Sequence, residues 1–251
     1  FTSEAFRERI RGIAGIRSLK DLPQPDVKKT GRIERKDYYI EKIIVSPEPG
    51  ISLPGLVFIP ATPDDNAYLY MNDKGKDVDA APGGRIEELV LKNHIVFAVD
   101  LRGIGETECV SEDKKYDELF GHGWDAFYRA YLLGKSCIGM RAEDVLTAAR
   151  YMACLQDGKK RGVHAIATGN AGLPALHAAA LEPDLFASLH VENALRSWTE
   201  LVKKPLAKQQ LMNTIHGALH VYDLPDLVSL VSCREVVVEK PLEFSQEDEA
   251  R

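Results

Sequence analysis

The chain has 251 residues, a formal net charge of −6, 45% apolar residues and 28% charged residues. This is the composition of a globular domain with enough apolar side chains for a large core. The negative charge and the lack of a Lys/Arg cluster argue against a nucleic-acid partner, and no apolar run is long enough to span a membrane. The sequence starts with Phe rather than Met, so we expect a processed chain or one cut from a longer protein.

The first part of the chain predicts a helical arm over residues 1–30, with an amphipathic helix over 3–16. A Pro-rich extended segment follows from Asp21 to Asp26. We place one larger domain over residues 31–251.

The next part reads as strands. Segments 38–45, 53–59 and 67–71 are rich in apolar residues and are separated by Pro and Gly. A helix is predicted after Gly83-Gly84, through about Asn93, and a strongly apolar strand over 95–99.

The remaining chain alternates between helices and strands. A long loop is predicted over 101–123, and two helices over 124–155 with a break near 134–139. Three further strands follow at 163–168, 186–191 and 235–239. An Ala-rich helix is expected to lie between the first two of them, and helices across 197–231 between the last two. This order indicates an α/β sheet, doubly wound and parallel after its first strands. Sites in such sheets form at the carboxyl ends of strands.

The turn after the strand at 163–168 is the most informative motif. Serine hydrolases of this class carry the nucleophile on a sharp G-x-S-x-G turn between a strand and a helix. Here residues 167–172 read Ala-Thr-Gly-Asn-Ala-Gly; we call them the elbow turn. Either Gly169 or Asn170 holds the nucleophile position, and neither can form an acyl-enzyme. Thr168 fits the motif in neither register.

Two interpretations of the elbow turn stay open. It is either a degenerate active site that still binds a ligand or a tight turn kept for packing alone. A dinucleotide-binding loop is excluded because G-x-G-x-x-G is absent.

Four separated segments carry a family resemblance. They are Leu-Val-Phe-Ile-Pro at 56–60, Ala-Val-Asp-Leu-Arg-Gly-Ile-Gly-Glu-Thr at 98–107, Gly-Met-Arg-Ala-Glu-Asp at 139–144 and Ala-Leu-His-Ala-Ala-Ala-Leu at 175–181. In this order and spacing the chain resembles the acetyl-xylan-esterase-like branch of the α/β-hydrolases over roughly residues 3–243. The resemblance implies an α/β-hydrolase fold with a mostly parallel, doubly wound sheet.

The resemblance also shows what is missing. Active relatives carry a His-Gly pair that helps to form the oxyanion hole, where this chain reads Asn72-Asp73-Lys74-Gly75. The nearest matches to the catalytic acid are Glu239 and Glu243. No histidine follows His220, and the chain ends too soon for the last strand and the histidine loop. Two members of the catalytic triad are therefore absent on independent grounds.

These departures imply a function by analogy with tandem esterases whose second domain lacks the serine. The leading hypothesis is a carbohydrate-esterase-like domain that is inactive as a serine hydrolase. It would bind or scaffold beside an active esterase domain or bind a carbohydrate ligand. The resemblance alone suggests an extracytoplasmic location, and no cofactor or metal is expected.

The alternative hypothesis is an active hydrolase with a non-standard site formed by His216, His220 and Asp223. The two histidines lie four apart on a predicted helix and so share a face. This spacing is compatible with three roles. The two histidines could bind a metal, line the former active-site cleft as polar groups, or make structural hydrogen bonds. Asp223 also reads as a helix N-cap, with Pro225 in the first turn.

Other candidates lie at predicted strand ends and loops. Asn72, Asp73, Asp100 and Arg102 are positioned to line a site, although an ion pair or turn hydrogen bond is favoured for the last two. His122 and Trp124 are candidates for lining a pocket and for stacking on a sugar ring, but Trp124 also reads as a core anchor. Arg141 and Asp144 are expected to pair within the protein. The remaining residues singled out are histidines expected to be satisfied in or near the core (His164, His177, His190) and four cysteines expected to be free, with one disulfide as the alternative (Cys109, Cys137, Cys154, Cys233).

Overall fold

A computed structural model of the chain describes residues 3–109, 113–155, 161–204, 207–232 and 235–242. The described strands form one sheet of eight: β1 (Asp26–Glu34), β2 (Tyr38–Ser46), β3 (Leu53–Pro60), β4 (Asn66–Asn72), β5 (Ile95–Val99), β6 (Gly162–Thr168), β7 (Phe186–Glu192) and β8 (Glu235–Glu239). Their spatial order is β1-β2-β3-β5-β4-β6-β7-β8. The pairs from β1 to β5 are antiparallel and those from β5 through β4 to β8 are parallel, as predicted.

Helices cover both faces of this sheet. They are α1 (Ser3–Ala14), α2 (Arg85–Val90), α3 (Lys114–Phe120), α4 (Trp124–Leu132), α5 (Cys137–Ala153), α6 (Gly172–Leu181), α7 (Trp198–Lys203) and α8 (Leu224–Leu230). Helices α1, α5, α6 and α8 share one core with the strands, and α2 packs on the opposite face. The sheet is therefore doubly wound, as predicted.

The central strands follow from their sequences. All five residues of β5, Ile-Val-Phe-Ala-Val, are buried, as expected for a strand covered on both faces. β2 instead alternates between buried and half-buried positions on either side of the exposed Lys42, which is the period-two pattern of a strand nearer the sheet edge.

Three elements differ from the sequence prediction. β1 was not predicted, because this edge strand is almost wholly exposed and lacks apolar alternation. It begins at Asp26, within the segment assigned to the helical arm, of which 3–14 is helical. The segment 101–123 is not all loop, since it contains a 3₁₀ turn at Gly105–Thr107 and helix α3. Between α7 and α8 the described residues form only two 3₁₀ turns, Leu211–Asn213 and Ala218–His220, where α-helix was predicted.

The cysteines and the lack of a membrane span are two further expectations from the sequence. Cys109, Cys137 and Cys154 are free thiols, as favoured. Cys233 and the candidate acid Glu243 lie outside the described residues. Within the described ranges, no helix combines the length and apolar character needed to cross a membrane.

Candidate functional site

The elbow turn has the backbone shape of a nucleophile turn. β6 ends at Thr168, a 3₁₀ turn covers Gly169–Ala171, and α6 starts at Gly172. Gly169 has φ +64°, a left-handed conformation that glycine adopts without steric cost. Because the nucleophile of the motif occupies the strained residue at the sharp bend, this geometry favours Gly169 over Asn170 as its counterpart.

The carboxylate of Asp73 fills the space above Gly169. A Cβ atom placed on Gly169 would overlap the Asp73 carboxylate. Oδ2 of Asp73 accepts a hydrogen bond from the backbone N–H of Asn170 at 3.0 Å. The N–H of Asp73 in turn donates to the Thr168 carbonyl at 3.2 Å. Asp73 is therefore anchored to the backbone on both sides of Gly169.

This contact uses a group that has a catalytic role in hydrolases. The N–H of the residue after the nucleophile is one donor of the oxyanion hole. In this chain that residue is Asn170, and its N–H is bonded to Asp73. The carboxylate thus fills the volume of a nucleophile side chain. It also accepts the hydrogen bond of an N–H group that would otherwise be one donor of the oxyanion hole.

A row of amide side chains adjoins the elbow turn. Asn213, only 2% exposed, donates from Nδ2 to Asn170 Oδ1 at 2.7 Å and to Gln210 Oε1 at 3.0 Å. Its Oδ1 is buried without a hydrogen-bond partner. The backbone carbonyl of Asn213 accepts from the Trp198 indole at 2.7 Å. Sequence reasoning missed Asn213 and Gln210, because isolated amides in an irregular segment form no pattern.

The other strand-end candidates hold loops in place. Asn72 is buried, and its Oδ1 accepts from the Lys74 N–H at 2.9 Å, which closes an Asx turn. Asp100 is 1% exposed and accepts from the backbone N–H groups of Lys76 at 2.6 Å and of Glu106 at 3.0 Å. Its Oδ2 also lies 2.9 Å from the Lys76 ammonium. These contacts give Asn72 and Asp100 structural roles.

Arg102 belongs to a set of paired charges that we call the Arg102 cluster: Arg102, Asp144 and Glu48. Arg102 donates to Asp144 at 2.6 and 2.9 Å and to Glu48 at 3.0 Å. Burial acts to lower the pKa of Arg102, but the hydrogen bonds and charge of Asp144 and Glu48 outweigh it and raise the pKa. The structural ion pair favoured for Arg102 is present.

The pair predicted between Arg141 and Asp144 is wrong. Arg141 is buried and donates to the backbone carbonyls of Arg102 at 2.9 Å and Gly103 at 3.2 Å. Asp144 is fully buried and forms its ion pair with Arg102. The helix spacing placed both residues toward the core, but the loop after β5 supplies their partners.

His122 and Trp124 lie at the junction of α3 and α4. His122 is exposed, and its Nδ1 lies 3.2 Å from Asp117 Oδ2. Trp124 is half-buried and packs between Tyr116 and Tyr128, at centroid distances of 5.2 and 6.3 Å. The glycine between His122 and Trp124 faces Met212, next to the amide row. The junction therefore borders the segment that contacts the elbow turn.

The alternative histidine site does not assemble as predicted. His216 lies in a turn and His220 in a 3₁₀ turn, separated by Gly217 at φ +73°, so one helical face does not carry both. Both imidazoles are exposed, and His216 packs edge-on against Tyr131 at 5.2 Å.

Asp223 is the N-cap of α8, as predicted, and it also caps α7. Its carboxylate accepts from the backbone N–H groups of Leu224 at 2.7 Å and Trp198 at 2.8 Å. Burial opposes ionisation, but hydrogen bonds, chiefly from Ser197 and Thr199, lower the pKa of Asp223. No hydrogen bond or ion pair joins Asp223 to an imidazole among the described residues.

Two of the remaining histidines are satisfied near the core, as predicted. His177 is fully buried, with Nδ1 2.7 Å from the Leu173 carbonyl and Nε2 2.8 Å from the Tyr222 hydroxyl. Burial lowers its pKa to about 4. His164 contacts Ser188 at 2.8 Å and Asn66 at 3.2 Å.

Glu239, the described candidate for the catalytic acid, lies apart from the elbow turn. In the sheet register, Thr168 pairs with Glu192, and Glu192 pairs with Glu239. Two strand spacings, about 10 Å, therefore separate Glu239 from the end of β6. Its side chain lies beside His190 instead.

The sequence matches no family model and no curated protein. Solved structures are similar in fold. A candidate acetyl xylan esterase from Bacteroides fragilis NCTC 9343 is 17% identical, with a TM-score of 0.73 over 95% of this chain and 67% of that one. Acetyl xylan esterase 1 from Thermoanaerobacterium sp. JW/SL YS485 is 13% identical, with a TM-score of 0.61 over 97% and 89%.

A third structure agrees with these two. The acetyl xylan esterase from Paenibacillus sp. R4 is 13% identical, with a TM-score of 0.57 over 98% of this chain and 90% of that chain. At such identities the likeness concerns the fold alone, and function depends on the site. The chain has the α/β-hydrolase fold, as its sequence resemblance predicted.

Proposed function

We propose that this chain is a carbohydrate-esterase-like domain that does not hydrolyse esters and serves as a binding or scaffolding domain beside an active esterase domain. The observation that carries the proposal is the Asp73 carboxylate in the space above Gly169, bonded to the Asn170 N–H. A substrate carbonyl would find neither a hydroxyl nor a free N–H at that point.

The chemistry of an active site built on Asp73 supports the same conclusion. Attack by the carboxylate on an ester would expel the alcohol and leave a mixed anhydride, which water must then cleave. That second step needs a base to activate the water. Among the described residues, none of the hydrogen bonds made by Asp73 or Asn170 involves an imidazole.

The carbohydrate component of the proposal is supported by the aromatic surface of α3 and α4. Tyr116 is 44% exposed and Tyr128 is 48% exposed, with the half-buried Trp124 between them. Exposed aromatic faces that adjoin polar groups are suited to ligands with both apolar and hydroxyl surfaces, as sugars have. His122 and Asp117 supply polar groups beside this surface.

Hydrolysis of p-nitrophenyl acetate and acetylated xylan tests the catalytic part. We expect the purified chain to match the rate in buffer, while a serine-bearing acetyl xylan esterase serves as positive control. Asp73→Asn and the exposed Asp77→Asn are compared with wild type. Hydrolysis that is lost in Asp73→Asn but kept in Asp77→Asn would contradict the proposal and identify Asp73 as a nucleophile.

Affinity electrophoresis in gels containing xylan tests the binding part. We expect xylan to retard the wild-type chain, and Trp124→Ala to reduce the retardation. Leu132→Ala, on the same helix and 82% exposed, is the control that should migrate as wild type does. Unretarded wild-type protein would contradict carbohydrate binding.

A further inference from the structure

A second group of polar side chains lies on β7 and β8, next to the elbow strand β6, on the α2 face of the sheet. His190 and Glu192 are two apart on β7 and therefore point to the same face. Glu239 pairs directly with Glu192 from β8, which puts its side chain on that face too. One ligand atom from each of the three residues lies within 4.8 Å of the others.

The ring nitrogen Nε2 of His190 faces two carboxylates. Nε2 lies 2.9 Å from Glu192 Oε1 and 3.9 Å from Glu239 Oε2. Nε2 is shielded from solvent, yet it has no partner in hydrogen-bond geometry. The ring nitrogen and the two carboxylates converge on one point, and nitrogen and oxygen atoms placed in this way form a donor set for a cation.

We propose that His190, Glu192 and Glu239 bind a divalent cation of the zinc type, although no metal was expected at these residues from the sequence. One imidazole and two carboxylates are a donor set that zinc accepts, with a fourth position left for water. Ligand atoms around tetrahedral zinc are about 3.4 Å apart, close to the separations here. Glu239 is 52% exposed and can rotate inward.

Arg85 holds one carboxylate of the proposed site in place. Its Nη1 donates to Glu192 Oε1 at 2.8 Å and so orients this carboxylate. Hydrogen bonds of this kind to ligating carboxylates are the rule in metal sites. The charges of Arg85 and the two glutamates sum to −1, which leaves a net attraction for a divalent cation.

Titration of the untagged, EDTA-dialysed chain with ZnCl₂ in a calorimeter tests the site. We expect one Zn²⁺ per chain and a rise in Tm with zinc. His190→Ala and Glu239→Gln should each weaken binding by at least about tenfold. His122→Ala, which removes a histidine–carboxylate pair without a third ligand, should bind as wild type does.

Three results would overturn the proposal. They are the absence of binding heat in wild type, unchanged binding in both His190→Ala and Glu239→Gln, and Mg²⁺ binding equal to Zn²⁺ binding, since magnesium does not select for imidazole. The inference does not depend on the proposed function, because zinc affinity and ester hydrolysis are measured separately.

Discussion

The loop after β5 and the turn after β6 both stand at carboxyl ends of strands, but they keep different parts of the hydrolase pattern. In the first, the Asp-x-Arg-Gly-x-Gly element is intact, and Asp100 and Arg102 are each paired with several partners. In the second, the bend is intact at Gly169, where a glycine stands in place of the serine of the motif. The comparison teaches that a sequence can match a family in the residues that hold the scaffold and depart from it at the reacting position.

The largest effect is expected in the Arg102 cluster. Asp144→Ala would remove the fully buried partner of Arg102, leave only Glu48 to balance its charge and open a cavity, and we expect a loss of roughly 3–5 kcal/mol in the free energy of unfolding. Urea denaturation measures it. Asp125→Ala, which breaks the exposed pair with Arg129, should change stability by less than about 0.5 kcal/mol. Equal losses in the two variants would show that the cluster does not hold the scaffold.

The next largest effect is the pH dependence of stability that His177 on α6 produces; α6 is the helix that follows the elbow turn. The pKa of His177 is about 4 in the folded chain and is lowered by burial, so between pH 6.5 and 4 the unfolded chain binds the extra proton. The contribution of His177 to the free energy of unfolding is therefore fully present above pH 6.5. It falls by roughly 3 kcal/mol as the pH drops from 6.5 to 4. His177→Gln should flatten this part of the stability curve. Parallel curves for wild type and variant between pH 7 and 4 would contradict the expectation.

A smaller effect is expected at the elbow turn itself. Gly169→Ser adds a Cβ at positive φ and displaces Asp73 from Asn170, which should cost about 2 kcal/mol. Combining it with Asp73→Gly removes the overlap and should recover part of that loss. Urea denaturation of the four proteins gives the coupling between the two sites. Strictly additive costs would mean that the carboxylate does not occupy the nucleophile volume.

The smallest effect belongs to the cap at α8. Asp223→Ala should cost about 1 kcal/mol, because it removes an acceptor for N–H groups of two helices. Asp223→Asn keeps the capping oxygen and should lose less. Thermal melts monitored by circular dichroism compare the two. Equal Tm values for Asp223→Ala and wild type would exclude the capping role.

The architecture was largely readable from the sequence because the buried strands have clear apolar runs. β5 shows this well, as all its residues are apolar and buried. β1 carries no such signal, since its residues face solvent and its pairing with β2 depends on backbone hydrogen bonds. The 3₁₀ segments between α7 and α8 were also missed, because the apolar residues there repeat at spacings that suit a helix.

The candidate site was readable only in part. The sequence showed that the elbow turn lacks a serine, and it placed Asn72-Asp73 at the oxyanion strand end. It could not show that the Asp73 carboxylate reaches Gly169, because that contact spans 96 positions and depends on β4 lying beside β6. For the same reason the register of His190 and Glu192 with Glu239 emerges only from strand pairing.

The bonded carboxylate of Asp73 reverses the electrostatic preference of this corner of the fold. In hydrolases the corner is built to attract negative charge as it develops on a carbonyl oxygen. Here the charge is already present and belongs to the protein, so an incoming acid or phosphate would be repelled. A molecule that settles against Asp73 must offer hydrogen-bond donors, such as hydroxyl or ammonium groups, rather than acceptors.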